Sequence, residues 1–176
     1  MSEDLSKPAA AAPGLARRLA SLTYEGVVLF GVVFVAGYLY SALTQQRNAM
    51  QGRYGLMAFE FLVLGIYFIW FWTHGGQTVA MRAWHLRVVD EASRPLSQVR
   101  ALARYAAALL WFAPALLVIE LNGIKGTGPV LGTLLLGMLI YALLSLLLPR
   151  RQFLHDVVCK TQLITQLPVK KNVNKP

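Results

Sequence analysis

The sequence predicts an all-α integral membrane protein with four transmembrane helices, and with a short cytoplasmic strand, a turn and an amphipathic segment between helices two and three. Three observations predict it. Hydrophobic residues make up 56% of the 176 and charged residues only 14%, against about 45–50% and about 25% in soluble chains. The apolar residues gather into four runs, each near the roughly 17–25 residues that cross a hydrocarbon core. The Lys and Arg residues flank those runs, and they do so unevenly.

Residues 1–15, MSEDLSKPAAAAPGL, are small, polar and rich in Pro and Ala, the composition of a disordered leader. A membrane domain is expected over 16–166 and a basic tail over 167–176. The first span covers about 22–43. Basic residues precede it as they would a signal peptide, but the run is too long, holds Glu25 and lacks a small-x-small cleavage site, so an uncleaved helix is expected. The second span covers about 56–73. Trp70, Trp72, Phe68 and Phe71 sit at its end, where an aromatic belt lies in membrane proteins. The third covers about 105–121, with Pro114 placed to kink it. The fourth covers about 130–148 and closes at Pro149. Only NGIKGTGP joins the last two, which predicts a tight antiparallel hairpin.

Orientation follows from the basic residues. Three lie before the first span (Lys7, Arg17, Arg18), five between the second and third (Arg82, Arg87, Arg94, Arg100, Arg104) and six after the fourth (Arg150, Arg151, Lys160, Lys170, Lys171, Lys175). That is fourteen on one side against Arg47, Arg53 and Lys125 on the other. The positive-inside rule therefore puts both termini and the central connection in the cytoplasm of a bacterial-type inner (plasma) membrane. The same bias accounts for the net charge of +9 through anionic lipid headgroups. A nucleic-acid surface is the other source of such a charge, but no basic-aromatic fingerprint accompanies it.

The central connection has structure of its own. WHLRVVD alternates as a short strand does, and EASRP supplies a turn. LSQVRALARYA then sets Leu96, Val99, Leu102 and Ala106 on one helical face, with Arg100 and Arg104 beside it, as in an interfacial segment lying on the membrane.

Three signatures stand in order along the chain: RRLASLTYEG opening the first span, GGQTVAMRAWHLRVVD after the second, and RRQFLHDVVCKTQLI after the last. Together they resemble the RDD family of membrane proteins over about residues 15–165. The resemblance implies an arginine before span one at Arg18 and an acid within it at Glu25, which here replaces the aspartate with a longer carboxylate. It further implies an HD-x4-T element at His155, Asp156 and Thr161, and a GQT element at Gly76, Gln77 and Thr78. The chain departs from the pattern at Ala80, where glycine is usual, and at Cys159-Lys160, where Ala-Gly is frequent. The activity that the resemblance implies is transport, of cations against protons.

A carboxylate in hydrocarbon costs at least about 2.5–3.5 kcal/mol. Glu25 must therefore face the bundle interior, pair with a cation or be protonated. Arg18 is seven residues away, on roughly the same helix face and about 10 Å along the axis; Arg100 and Arg104 are the other cations at that level. Two roles are open for this group: charges that pin helix ends together, or an ion or proton site. Asp156 has the same two readings, with Arg150, Arg151 or an arginine at another helix end as its partner. Glu60 and Glu120 fall near the outer ends of spans two and three and read as interface-exposed charges.

Other classes lack support. His74, His85 and His155 match no metal spacing, and no cofactor is implied. The single Cys159 excludes an internal disulfide and belongs to no catalytic pair that the sequence establishes. GIKGTG lacks the ending of a phosphate loop, and the GPVLG of span four satisfies GxxxG, a helix-packing pattern. No nucleophile elbow or catalytic carboxylate pair is present, so no enzyme is expected. Two functions remain. One is a transport-related protein working as a homo-oligomer, since four short spans leave little room for a pathway. The other is a non-catalytic scaffold or accessory subunit that holds a partner on its basic face.

Overall fold

The computed structural model describes residues 13–45 and 52–166. Most of the expected leader, Arg47 and the expected tail at 167–176 lie outside the described residues. The first helix, α1 (Leu15–Thr44), has 30 residues and is about 45 Å long at 1.5 Å per residue, well beyond a hydrocarbon core of about 30 Å. It begins seven residues ahead of the expected span because Arg17 and Arg18 are good helix formers and Arg18 is drawn into the interior. The second, α2 (Arg53–His74), runs back alongside it.

Next come a one-turn helix, α3 (Val79–Ala83), and strand β1 (Leu86–Asp90). The third crossing is a broken rod: α4 (Gln98–Ala108), a 3-10 turn at Leu109–Trp111, and α5 (Ala113–Leu121). The break has the expected cause, because Pro114 has no N–H to offer the preceding turn. Its start was expected at 105, yet the Ser97 hydroxyl accepts the Arg100 N–H at 3.4 Å and caps the helix there. The fourth crossing, α6 (Thr127–Leu144), stops before the expected 148. The N–H groups of Ser145, Leu146 and Leu147 fold back on carbonyls three residues earlier and end it. A short helix α7 (Leu154–Val158) and strand β2 (Thr161–Thr165) complete the described chain. The four crossings, Leu15–Thr44, Arg53–His74, Gln98–Leu121 and Thr127–Leu144, are each long and apolar enough to span a membrane.

The expected strand is β1, and its partner is β2, which the sequence reading did not find. They pair antiparallel from Leu86 opposite Thr165 to Asp90 opposite Thr161. Leu86, Val88 and Leu163 point from this ribbon into a core with Trp72, Met81, Leu96, Ala101 and Tyr105. Val99, Leu102 and Ala106 of α4 face outward as an interfacial face would, while Leu96 joins the core instead. So the tightest packing lies at the sheet end of the bundle. Toward mid-span, Phe30, Phe34, Ile66 and Leu135 are exposed on the helix faces, where lipid rather than water is the neighbour. Trp70 is exposed and stacks on His74, but Trp72 is buried and belongs to the core rather than to a belt.

Two backbone details explain local sequence. Lys160 holds a left-handed φ of +52°, which is where glycine is frequent in the resembling family; the turn that feeds β2 therefore survives without it. Asp90 closes the loop after β1, accepting the Arg94 N–H at 2.7 Å and the Arg94 and Arg100 guanidinia at 3.0 and 3.2 Å. That backbone N–H, above all, holds the Asp90 carboxyl below its usual range against burial, with the Arg94 guanidinium assisting.

The GxxxG of span four is not what packs α6. Neither Gly128 nor Gly132 has a neighbour against the missing Cβ, whereas a Cβ on Gly137 would stand 2.6 Å from that of Ala115. Gly137→Val should therefore overpack the α5–α6 contact and cost about 1–3 kcal/mol. Gly132→Val should leave unfolding in detergent unchanged; equal losses from both variants would count against this contact.

Candidate functional site

On α1 the buried polar residues form one stripe: Arg18, Ser21 and Glu25. Steps of three and four residues keep them on one helical face. Arg18 and Glu25 do not pair. Instead the Tyr67 hydroxyl of α2 donates to Glu25 Oε1 at 2.7 Å, and the Thr78 hydroxyl donates to Oε2. Each carboxylate oxygen thus has a hydroxyl partner, and no guanidinium reaches either one among the described residues. The axial offset of about 10 Å separates the expected pair, and α2 and α3 supply closer donors.

Thr78 is placed by the segment before it. Gly76 adopts φ +72°, and a Cβ there would stand 2.5 Å from the Val88 carbonyl oxygen. Its N–H donates to the Phe71 carbonyl at 3.0 Å and its carbonyl accepts the Val88 N–H at 2.7 Å. The Gln77 side chain donates to the Leu86 carbonyl at 2.6 Å. Both contacts tie the segment to β1. Thr78 then caps α3 by accepting the Met81 N–H at 3.2 Å, so its hydroxyl proton is free for Glu25. The GQT element is a clamp that aims one hydroxyl. Ala80 is fully buried beside it, so the alanine is packed in place.

The second carboxylate is handled differently. Asp156 is completely buried, and its Oδ1 accepts Arg104 Nε at 2.9 Å, lies 2.8 Å from Arg104 Nη2, and accepts the Thr161 hydroxyl at 3.0 Å. Arg104 also lies over the Trp72 ring at 4.3 Å. So neither Arg150 nor Arg151 holds Asp156; Arg150 bonds Gln162. Nor does Arg100 or Arg104 serve Glu25, since Arg100 is committed to Asp90.

His155 lies between this pair and α6. The Tyr141 hydroxyl accepts the His155 backbone N–H at 3.0 Å and faces Nδ1 at 3.0 Å. On the other side of the ring, Nε2 stands 3.4 Å from Arg104 Nη2 and 3.5 Å from Asp156 Oδ2. Burial pushes His155 down to about 4, with Asp156 pulling up and Arg104 pushing down, so the ring is neutral near pH 7. Burial raises Asp156, but the Arg104 guanidinium, then His155 and Thr161, outweigh it and hold the carboxyl below its usual value. Burial raises the Cys159 thiol, which makes it a poor nucleophile.

Arg18 completes the cluster from α1. Its guanidinium lies 4.5 Å over the Phe153 ring, and Nη2 makes a long 3.5 Å contact to the Ser145 hydroxyl. Its Nε and Nη1 are buried and meet no acceptor among the described residues. The three histidines stand apart: His74 on Trp70, His85 exposed before β1, and His155 in the cluster. Among the described residues no three of His, Cys, Asp and Glu converge as metal ligands.

Sequence reasoning missed Ser21, Tyr67, Tyr141, Ser145 and Trp72. The two tyrosines carried a usable signal, because a phenol in an apolar span must find a partner for its hydroxyl.

The RDD family model matches residues 12–160, and the chain belongs to that family. No curated protein and no solved structure matches the chain. The residues on which the sequence resemblance rested are gathered at the sheet end: Arg18 and Glu25 from α1, His155 and Asp156 from α7, Thr161 from β2, and Thr78, the N-cap of α3.

Two outcomes follow for the Asp156 group. In the folded chain His155 titrates near 4 and in the unfolded chain near 6.5, so between those values the unfolded chain binds more protons. Asp156, also depressed, adds a further loss at lower pH. Stability should therefore be full above pH 6.5 and fall by about 3 kcal/mol on acidification toward pH 4; His155→Gln should flatten that limb in detergent melts, and an unchanged slope would exclude His155 as its source. Asp156→Asn should cost about 3–5 kcal/mol by leaving Arg104 buried without its counter-ion, whereas the double variant Arg104→Met/Asp156→Leu should be less destabilised than either charge-stranding single variant.

Proposed function

We propose that this membrane protein is transport-related and handles a proton or a small cation at Glu25, without enzymatic chemistry, working as a homo-oligomer in a bacterial-type inner membrane with both termini in the cytoplasm. The observation that carries the reading is the environment of Glu25: a carboxylate buried within a span, held by the Tyr67 and Thr78 hydroxyls and, among the described residues, not by an arginine. A carboxylate locked to a guanidinium has little to gain from a proton or a cation. One surrounded by hydroxyls offers four oxygens at close quarters, the ligand type that hard cations take, and its hydroxyl partners can turn their protons away.

Access supports the same reading. A cavity of about 320 Å³, lined by Tyr24, Phe71, Thr78, Val79, Arg82 and Ala83, lies against the Thr78 side of the carboxylate. Orientation rests on the fourteen-to-three division of basic residues, and oligomerisation on the small number of spans. Asp156 has the opposite character, locked to Arg104, and acts as the fastener of the cluster.

The second reading is a scaffold or accessory subunit. Exposed Arg82, Arg94, Arg150 and Arg151 at the sheet end favour it, since they offer a basic face to a partner or to anionic headgroups. A pull-down from native membranes that recovers only this chain would count against it.

For the transport reading, Glu25→Gln should abolish cation-dependent proton flux in reconstituted vesicles. Tyr67→Phe and Thr78→Val each remove one hydrogen bond worth about 1 kcal/mol, and should weaken apparent cation affinity about fivefold. Flux that survives Glu25→Gln undiminished removes Glu25 from the mechanism.

A further inference from the structure

Arg18 is only 3% exposed, yet most of its hydrogen-bonding capacity is unused. A guanidinium carries five N–H donors. Those on Nε and Nη1, three of the five, meet no acceptor among the described residues. Nη2 has the long 3.5 Å contact to the Ser145 hydroxyl, which itself donates to the Ala142 carbonyl at 2.6 Å. One face of the ion lies on the Phe153 ring. The neighbouring acids do not answer it, because Glu25 is bonded to Tyr67 and Thr78 and Asp156 to Arg104 and Thr161. A buried charge left without a counter-ion is costly, and the described residues supply none for Arg18.

Next to it an apolar groove of about 310 Å³ runs between α5 and α6, within the roughly 300–1,000 Å³ of ligand pockets. Pro114, at the break in the third crossing, lines it together with Ala115 and Gly137, where the two helices meet most closely. Apart from Thr133 and Tyr141 the lining is aliphatic. From Thr133 to Leu144 it follows α6 for about 16 Å. At the sheet end it is walled by Tyr141, Leu144 and Leu154, and each of these adjoins the surroundings of Arg18. Ser145, which Nη2 approaches, follows Leu144, and Phe153, which carries the guanidinium, precedes Leu154. The Tyr141 and Phe153 rings stack with centroids 6.4 Å apart. The groove and the unpaired cation therefore share one wall, an apolar slot with a positive charge at its end.

We propose that Arg18 and the α5–α6 groove form a binding site for one anionic phospholipid, with the phosphate at the guanidinium and an acyl chain in the groove. A phosphate offers the planar donors of arginine the acceptors that they lack, and the aliphatic lining takes the chain. Leu15 and Leu19 flank Arg18 in the first turns of α1 and are only half-buried against the same cluster, so a headgroup enters by moving side chains at a helix end. Packing gives the lipid a role: α1 packs chiefly on α2 and α3, and α6 on α5, so a lipid held by Arg18 and the groove bridges them. The site shares no lining residue with the cavity beside Thr78 and does not depend on the reading of Glu25. It also differs from the exposed arginines of the sheet end, whose hold on headgroups salt screens.

The test is photolabelling of the full-length protein in a maltoside detergent, which carries no phosphate. The probe is phosphatidylglycerol with a diazirine in its acyl chain, and the labelled peptides are read by mass. Label should concentrate on α5 and α6 and persist in about 0.5 M NaCl, which screens exposed charges beyond a few Å. Unlabelled phosphatidylglycerol at about ten times its apparent Kd should suppress the labelling about tenfold. Diacylglycerol with the same chains, or inorganic phosphate, at that concentration should leave it unchanged. Equal suppression by diacylglycerol would show a groove that takes any chain, and equal suppression by inorganic phosphate would assign the guanidinium to free phosphate; either overturns the proposal. So does label spread evenly over the four crossings or lost in salt, since Arg18 then has water for its acceptors. These readings use the unaltered chain and do not depend on a variant folding. Arg18→Gln should weaken phosphatidylglycerol binding about tenfold, while Arg17→Gln, at an exposed position one residue away, should change it less than about twofold. A folded Arg18→Gln variant that binds as tightly as the parent, or equal losses from both variants, would also overturn it.

Discussion

The buried pair of Arg104 and Asp156 is the interaction on which the sheet end depends. Bringing a carboxylate to zero exposure costs several kcal/mol unless its charge is met and its lone pairs are filled. Two residues from different elements meet most of that requirement on Oδ1, Arg104 from α4 and Thr161 from β2, while His155 of α7 stands 3.5 Å from Oδ2. The pair therefore ties α4 to α7, and Thr161 brings β2 to the same centre. Trp72 of α2, lying over the Arg104 guanidinium, joins the second crossing to the same centre. In a membrane this matters more than in water, because lipid-facing helices gain nothing from burying apolar faces on one another.

The two buried acids Glu25 and Asp156 then divide along a physical line. Asp156 lies outside the spans with a guanidinium as its partner, and a neutral histidine beside it adds no second cation. Glu25 lies inside a span, and its partners among the described residues are two hydroxyls. The longer glutamate side chain suits this place, since it must reach both a phenol on α2 and a threonine at the start of α3. An aspartate, one methylene shorter, would have to trade one of these contacts for closer approach of the helices.

Much of this fold was legible because membrane spans announce themselves. Length, apolarity and the segregation of Arg and Lys fixed the number of crossings, and Pro114 marked the break in the third. The alternation of WHLRVVD revealed β1, yet β2 escaped notice, since TQLIT is short and follows a basic stretch that looks like tail. The site was readable as a set of residues but not as a set of pairs. Arg18 and Glu25 share a helix face, which suggested that they meet; the structure sends Glu25 to Tyr67 and Thr78 and leaves Arg18 over Phe153. Spacing along one helix reports which residues share a face. Partners arriving from other elements are set by the packing of α2, α4 and α7, and no local pattern records that.

The charges of the cluster bear on which acid can change state. Arg18 and Arg104 bring two positive charges into the protein end of the bundle, and Asp156 and Glu25 bring two negative ones, with His155 neutral. The group is balanced only while both acids are ionised. Asp156 is bonded directly to Arg104, so protonating it would strand a guanidinium at contact distance, a loss of several kcal/mol. Among the described residues Glu25 touches no guanidinium. Its protonation would leave the excess charge on Arg18, whose Nε and Nη1 lack acceptors among the described residues, and would break no ion pair formed among them. A cation bound at Glu25, by contrast, would sit beside hydroxyls that can reorient without moving a helix. The architecture thus places its charge pair where α4, α7 and β2 meet, and its hydroxyl-bonded carboxylate on the buried polar stripe of α1.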